Sequence, residues 1–244
     1  MLENLPANYT AAVFGASGGI GRVITRALSE DPRCAKIFAG ARSAIPATRK
    51  ITGFAFDLMD EDSIASAATD IGVKGPVHLV FVATGILHSD DFGPERSWRE
   101  LDPADMQTVF ALNTIGPALI AKHMLESLPR DETGIFAMLS ARVGSIGDNR
   151  LGGWHSYRAS KAALNMLIRN FSIELGRKRK KAICVGLHPG TVETGLSAPF
   201  QRNVPEGKLF APEKSAGCML QLLGRLGVED TGYCYAWDGQ RIDW

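Results

Sequence analysis

The longest periodic pattern in the chain runs from Ser156 to Leu175 without glycine or proline, with apolar Leu164, Leu167, Ile168, Phe171 and Leu175. Intervals of three and four residues predict a helix with one buried face. Elsewhere short apolar, β-prone runs alternate with helical patterns. Strands are predicted at 10–14, 36–40, 51–56, 77–82, 135–140, 183–187 and 233–236. Helices are predicted at 22–29, 60–68, 102–128 and 212–226, the third interrupted or closely packed at Gly116-Pro117. This alternation gives an α/β fold, a doubly wound parallel sheet of about seven strands with helices on both faces. No repeat, low-complexity tract or linker divides residues 1–244, so the chain reads as one domain. Ligands of such a sheet bind beyond the carboxyl ends of the strands, where Gly15, Asp57, Gly85, Ser140 and Pro189 stand.

The first strand run ends in Gly15-Ala16-Ser17-Gly18-Gly19-Ile20-Gly21, and a helical pattern follows. Strand, glycine turn and helix together make a phosphate-binding motif. Glycines let the backbone approach a pyrophosphate, and the helix N-terminus supplies free N–H groups. After the second strand the acid that selects NAD is missing, and Arg42 stands near its place. A guanidinium there can pair with a 2′-phosphate or simply point into solvent.

On the long helix Tyr157 and Lys161 lie one turn apart on the same side. A fixed ammonium beside a phenol favours the phenolate and brings the tyrosine toward working pH, where it can exchange a proton with a carbonyl oxygen. The same spacing also arises by chance on many helices, so the rest of the chain has to support this role.

The net charge of +1 and 22% charged residues argue against a nucleic-acid or membrane-surface binder. The basic run Arg177-Lys178-Arg179-Lys180-Lys181 ends the central helix, where cations complement its dipole. Cys34, Cys184, Cys218 and Cys234 are too scattered for a metal or disulfide framework. With no signal-like leader and no apolar run near a bilayer's thickness, the protein is expected in the cytoplasm. Asp91-Phe92-Gly93, followed by Pro94-Glu95, matches a kinase tripeptide without its companion motifs and reads as a surface turn.

Taken in order, the glycine motif, Asp57, Asn113, Ser140, Tyr157 with Lys161, and Pro189-Gly190 resemble the short-chain dehydrogenase/reductase family over essentially the whole chain. The wording around Ser140 and Tyr157, with the closing Ala236-Trp237-Asp238-Gly239, looks most like its C-factor-like subgroup. The resemblance implies a Rossmann fold and an NAD(P)-dependent oxidoreductase acting on a carbonyl or alcohol. It assigns Tyr157 as general acid/base and Lys161 to the nicotinamide ribose. Ser140 would meet the substrate oxygen, and Asn113 would hold a water that links Lys161 to solvent. Cofactor contacts are implied for Gly15, Ser17, Gly19, Ile20, Gly21, Arg42, Asp57, Leu58 and Gly85. Pro189, Gly190, Val192 and Thr194 would complete that surface. NADP(H) is favoured over NAD(H). A signalling or nucleotide-sensing protein with little turnover is the alternative.

Three departures from the family pattern stand out. Val82-Ala83-Thr84-Gly85 replaces an asparagine-bearing turn. The register set by Gly144 puts Ala141 where a catalytic serine is usual, so Ser140 serves only if the strand end shifts, and Ser145 is the fallback. The segment 148–155 is long and is expected to form part of the substrate wall. Residues 196–210, with Pro199, Phe200, Pro205, Leu209 and Phe210, read as a mobile apolar lid. Ala162, Ala163, Met166 and Ile173 widen the helix's apolar surface, so a homodimer or homotetramer is expected.

Overall fold

The computed structural model describes residues 1–43 and 45–244. Its strands are β1 (Tyr9–Phe14), β2 (Cys34–Ala41), β3 (Ile51–Ala55), β4 (Leu79–Val82) and β5 (Gly134–Leu139), then β6 (Ala182–His188), β7 (Thr191–Val192), β8 (Leu209–Phe210), β9 (Cys234–Ala236) and β10 (Arg241–Ile242). The helices are α1 (Gly19–Glu30), α2 (Glu61–Gly72), α3 (Pro103–Phe110), α4 (Gly116–Met124), α5 (His155–Lys178) and α6 (Pro212–Leu223).

Eight strands form the main sheet in the order β10-β9-β6-β5-β4-β1-β2-β3. All its pairings are parallel except β9 with β10, which turns back antiparallel through Gly239. That short edge strand is why the sheet exceeds the expected seven. The central strands are buried on both faces, and their continuous apolar runs reflect this. On one face α1 and α6 cover Val13, Phe81, Ile135 and Val185. On the other α2, α4 and α5 cover Phe14, Val80, Phe136 and Met138. Sequence order reverses between β1 and β4, which opens a crevice at their carboxyl ends.

Local chemistry sets the helix starts. Asp60 accepts from the N–H groups of Asp62 and Ser63 and caps α2. Asp102 does the same for α3, from Ala104 and Asp105. The expected single helix at 102–128 is two α-helices joined by a π turn, Ala111–Ile115, just before Gly116-Pro117. Proline cannot donate to the preceding turn, and the wider turn absorbs the mismatch. α1 begins at Gly19, three residues earlier than its apolar periodicity suggests, because the glycine turn winds directly into it.

The expected lid is tied down at both ends. β7 pairs with β8, and Phe210 is buried against the Trp237 ring, 4.5 Å between centroids. Only Leu196 and Phe200 of its predicted apolar residues reach the crevice. No helix among the described residues is long and apolar enough to cross a membrane.

Candidate active site

A cleft of about 480 Å³ lies at the carboxyl ends of β1, β4, β5 and β6. Its floor carries Gly18, Gly19 and Ile20 from the first turn of α1. Gly18 caps this helix with no side-chain bond, and no acid sits in the first turn, so N–H groups and helix dipole face the cleft. The glycines are sterically required. Gly15 has φ +86°, and a Cβ on Gly21 would collide with the Gly15 carbonyl. A Cβ on Gly19 would come within 2.5 Å of Thr194 Cγ2. Ser17 is exposed beside this turn.

Across from them stand Tyr157 and Lys161 on α5, with Gly85 after β4 and Ser140 after β5. Lys161 is buried, and its Nζ donates to the Leu139 carbonyl at 3.0 Å. It lies 5.9 Å from the Tyr157 ring centre. Burial lowers the lysine to about 8 and raises the phenol to about 12. The expected depression of Tyr157 is therefore reversed here, because desolvation penalises the phenolate and the ammonium faces a carbonyl.

Asn113 is fully buried in the π turn. Its Oδ1 accepts from Ile86 N at 2.7 Å, and its Nδ2 donates to Ile86 O at 2.9 Å and Ser160 Oγ at 3.1 Å. The Gly85 Cβ position is 3.2 Å from that Oδ1 and 3.4 Å from Lys161 Nζ, so Asn113, Gly85 and Lys161 form one packed unit.

Ser140 borders the cleft, and the strand end is not shifted. Its N–H continues the ladder to Leu187 O at 2.8 Å, while its hydroxyl donates to Asn165 Oδ1 at 2.6 Å. The neighbouring Ala141 lines the cleft with a methyl group. Ser145 is buried with its hydroxyl oxygen accepting from Asp148 N at 3.1 Å, apart from the cleft lining.

Pro189, Gly190, Val192 and Thr194 complete one wall. Gly190 has φ +80°, and a Cβ there would press on the Phe210 ring at 2.8 Å. Outside the lining, Asp57 is exposed and its Oδ1 accepts from Met59 N at 2.9 Å. Leu58 packs under Gly116. Arg42 is exposed just past β2. Arg22 is also exposed, and the Glu213 carboxyl is held below its ordinary range first by a backbone N–H hydrogen bond at Glu213, then by Arg26 and, least, by Arg22. Buried Thr84 Oγ1 and His188 Nδ1, on residues of the cleft wall, have no hydrogen-bond partner among the described residues. Burial pushes His188 down to about 4, so its imidazole is neutral. A glycine cradle at a helix N-terminus, with unpartnered polar atoms opposite, fits a phosphate-bearing dinucleotide.

Sequence reading missed Glu95. It follows the expected surface turn, yet it is 7% exposed, and its carboxylate accepts from the N–H and hydroxyl of Ser156 in the first turn of α5. Its carbonyl accepts from Trp154 N at 2.5 Å. Gly152, Gly153 and Trp154 have φ of +63°, +65° and +51°. For a tryptophan this left-handed conformation costs about 1–3 kcal/mol. A single acid in a polar loop carries no periodicity that would reveal its burial.

The comparisons agree with this geometry. The family profile described as short chain dehydrogenase matches residues 9–205. The chain is 31% identical over 239 residues to the 1-hydroxy-2-glutathionyl-2-methyl-3-butene dehydrogenase of Rhodococcus sp. (strain AD45), covering 96% of this chain and 99% of that protein. It is 34% identical over 145 residues to the C-signal of Myxococcus xanthus, covering 59% of this chain and 82% of the other. NADPH-bound carbonyl reductase from chicken fatty liver superposes with a TM-score of 0.83 at 25% identity, over all of this chain and 96% of that one. Cleft, glycine turn and helix-borne Tyr157 and Lys161 thus fall within a match that spans the fold, and the chain belongs to the short chain dehydrogenase family, NAD(P)-dependent oxidoreductases.

Proposed function

We propose that the protein is an NADP-dependent carbonyl reductase, able to run as an alcohol dehydrogenase in reverse, with Tyr157 as the proton donor. The observation that carries this reading is that Tyr157 and Lys161 share one largely apolar cleft with the glycine turn of α1. When bound, the reduced nicotinamide supplies a hydride to the carbonyl carbon. Tyr157 Oη gives its proton to the carbonyl oxygen as the C–H bond forms and the C=O π bond breaks, leaving a phenolate. A phenol held near 12 is fully protonated at neutral pH, as a donor must be. The Lys161 ammonium stabilises the phenolate as it forms. Asn113, bonded to both backbone groups of Ile86, keeps the wall beside Lys161 open for a relay water.

Gly15, Ser17, Gly19, Ile20, Gly21 and Thr194 are assigned to the pyrophosphate, Asp57 and Leu58 to the adenine, and Gly85, Pro189, Gly190 and Val192 to the nicotinamide side. Ser140 can take the substrate oxygen only by exchanging its bond to Asn165. Similarity to C-signal supports a signalling role over 59% of this chain, but the paired Tyr157 and Lys161 favour turnover.

Tyr157→Phe is expected to lower kcat for carbonyl reduction by about 10²–10⁴-fold. The NADPH dissociation constant should be unchanged by calorimetry. Equal turnover in both proteins would remove the acid role. Lys161 carries its proton below about 8 and loses it above, so kcat/KM for reduction should fall as pH rises through that value. A profile that climbs there would contradict the assignment.

Cofactor choice rests on Arg42, with no acid in Ala39-Gly40-Ala41 to repel a 2′-phosphate. An exposed charge-assisted contact favours NADPH over NADH by about tenfold, and Arg42→Ala should narrow that gap. Equal dissociation constants in the wild-type protein would leave Arg42 no part in selection.

Met166 and Ile173, 61% and 46% exposed, lie two helical turns apart on α5, and Ile115 in the π turn is 53% exposed. Burying them between copies makes a homodimer or homotetramer the expected state. Light scattering at micromolar protein should give a multiple of the chain mass, and a monomer mass would reject this.

A further inference from the structure

Trp154 stands at the junction of three loops that meet over the cleft. Its ring lies edge-on to Tyr157 at 6.2 Å and against Phe200 at 5.2 Å. Phe200 in turn meets His88 at 5.7 Å, and His88 Nε2 is 3.1 Å from the Gly195 carbonyl. Trp154 thus links the start of the Tyr157 helix to the loop above it and walls the space in front of the phenol. Val143, Leu196 and Leu87 make the adjoining surfaces apolar.

Nothing local explains this placement. A bulky side chain disfavours the left-handed region, and two preceding glycines in the same conformation leave the segment with little intrinsic order. The order comes from outside. Glu95 binds both ends of the bend, with its carbonyl on Trp154 N–H and its carboxylate on Ser156. An anion at that point also complements the N-terminal end of α5. On the opposite side, Arg158 Nε donates to the Gly153 carbonyl at 3.0 Å, and its guanidinium reaches Val143 O at 3.2 Å. The bend is held from both sides, and its one large side chain faces Tyr157.

We propose that Trp154 is the specificity-determining residue of this site, selecting carbonyl compounds that carry a flat apolar group, and that Glu95 is its positioning residue. A planar substituent lying against the joined Trp154 and Phe200 rings gains aromatic contacts that a small aliphatic group cannot make. Such a substituent brings the attached carbonyl oxygen to Tyr157. The inference rests on the carbonyl-reductase reading for its reaction, and it rests on the geometry alone for its preference.

The test compares kcat/KM for benzaldehyde and acetaldehyde with NADPH in wild type, Trp154→Gly, Glu95→Ala and Glu95→Gln. Glycine accepts the left-handed conformation without strain, so Trp154→Gly removes the wall and keeps the bend. The benzaldehyde preference should fall about tenfold in Trp154→Gly and in Glu95→Ala. Glu95→Gln keeps an oxygen acceptor for Ser156 and should restore most of the preference, which a general loss of stability would not predict. A preference in Trp154→Gly within about twofold of wild type overturns the proposal, whether or not Glu95→Ala folds. Calorimetric titration of benzamide into each protein separates this inference from the reductase reading. If no aldehyde is reduced, weaker benzamide binding in Trp154→Gly than in wild type still supports the wall. Equal binding, or none in wild type, overturns it.

Discussion

A buried ammonium is the constraint around which this site is arranged. Lys161 is 2% exposed, and a charge so far from water persists only where its donors find acceptors. The Leu139 carbonyl, at the carboxyl end of β5, supplies one at 3.0 Å. That bond fixes α5 against the sheet end, and Tyr157 one turn earlier is thereby fixed in the cleft. Room for the lysine comes from residues that lack side chains. A Cβ on Gly144 would meet Lys161 Cβ at 2.8 Å, and one on Gly85 would approach its Nζ. These glycines keep the cation's surroundings open to a bound molecule.

The π turn in the neighbouring helix follows from the same constraint. An ordinary helical turn at 111–115 would carry Asn113 past the loop after β4. With the wider turn, its amide satisfies both backbone groups of Ile86 and still reaches Ser160 on α5. Thr114 adds a second tie, donating from its hydroxyl to Ser160 O at 2.8 Å. The loop after β4, the π turn and α5 are therefore one hydrogen-bonded body beside Lys161. Few elements that carry the cleft can move without breaking buried bonds, and such bonds are costly to leave unmade.

The order of elements was readable in the chain because a doubly wound sheet repeats two strong signals. Buried strands such as Leu79–Val82 are continuous apolar runs, and α5 shows helical spacing over five turns or so. The strand at 233–236 was legible and is β9, whereas β7, β8 and β10 were invisible, because strands of two residues carry no period. Tyr157, Lys161 and the glycine turn stood out because their spacing follows the helix and the strand–helix turn. Ser140 illustrates the limit. The sequence left Ser140 and Ser145 as alternatives, and the bond from Ser140 to Asn165 depends on a contact 25 positions away in sequence. Glu95 is the extreme case, since it meets Ser156 across a separation of 61. Long-range polar contacts of this kind leave no local pattern.

Burial moves the two ionisable groups of the cleft toward their neutral forms, the phenol upward and the ammonium downward. At neutral pH the lysine still holds its proton, and the tyrosine is far from losing one. A phenol held in this state is set to give a proton rather than to take one. A depressed tyrosine, which alcohol oxidation needs, requires more positive potential at the phenol than Lys161 provides from beside Leu139. An oxidised nicotinamide carries a positive charge, and a reduced one does not. In a low-dielectric wall of this kind, one charge added beside the phenol would count for more than it does in water.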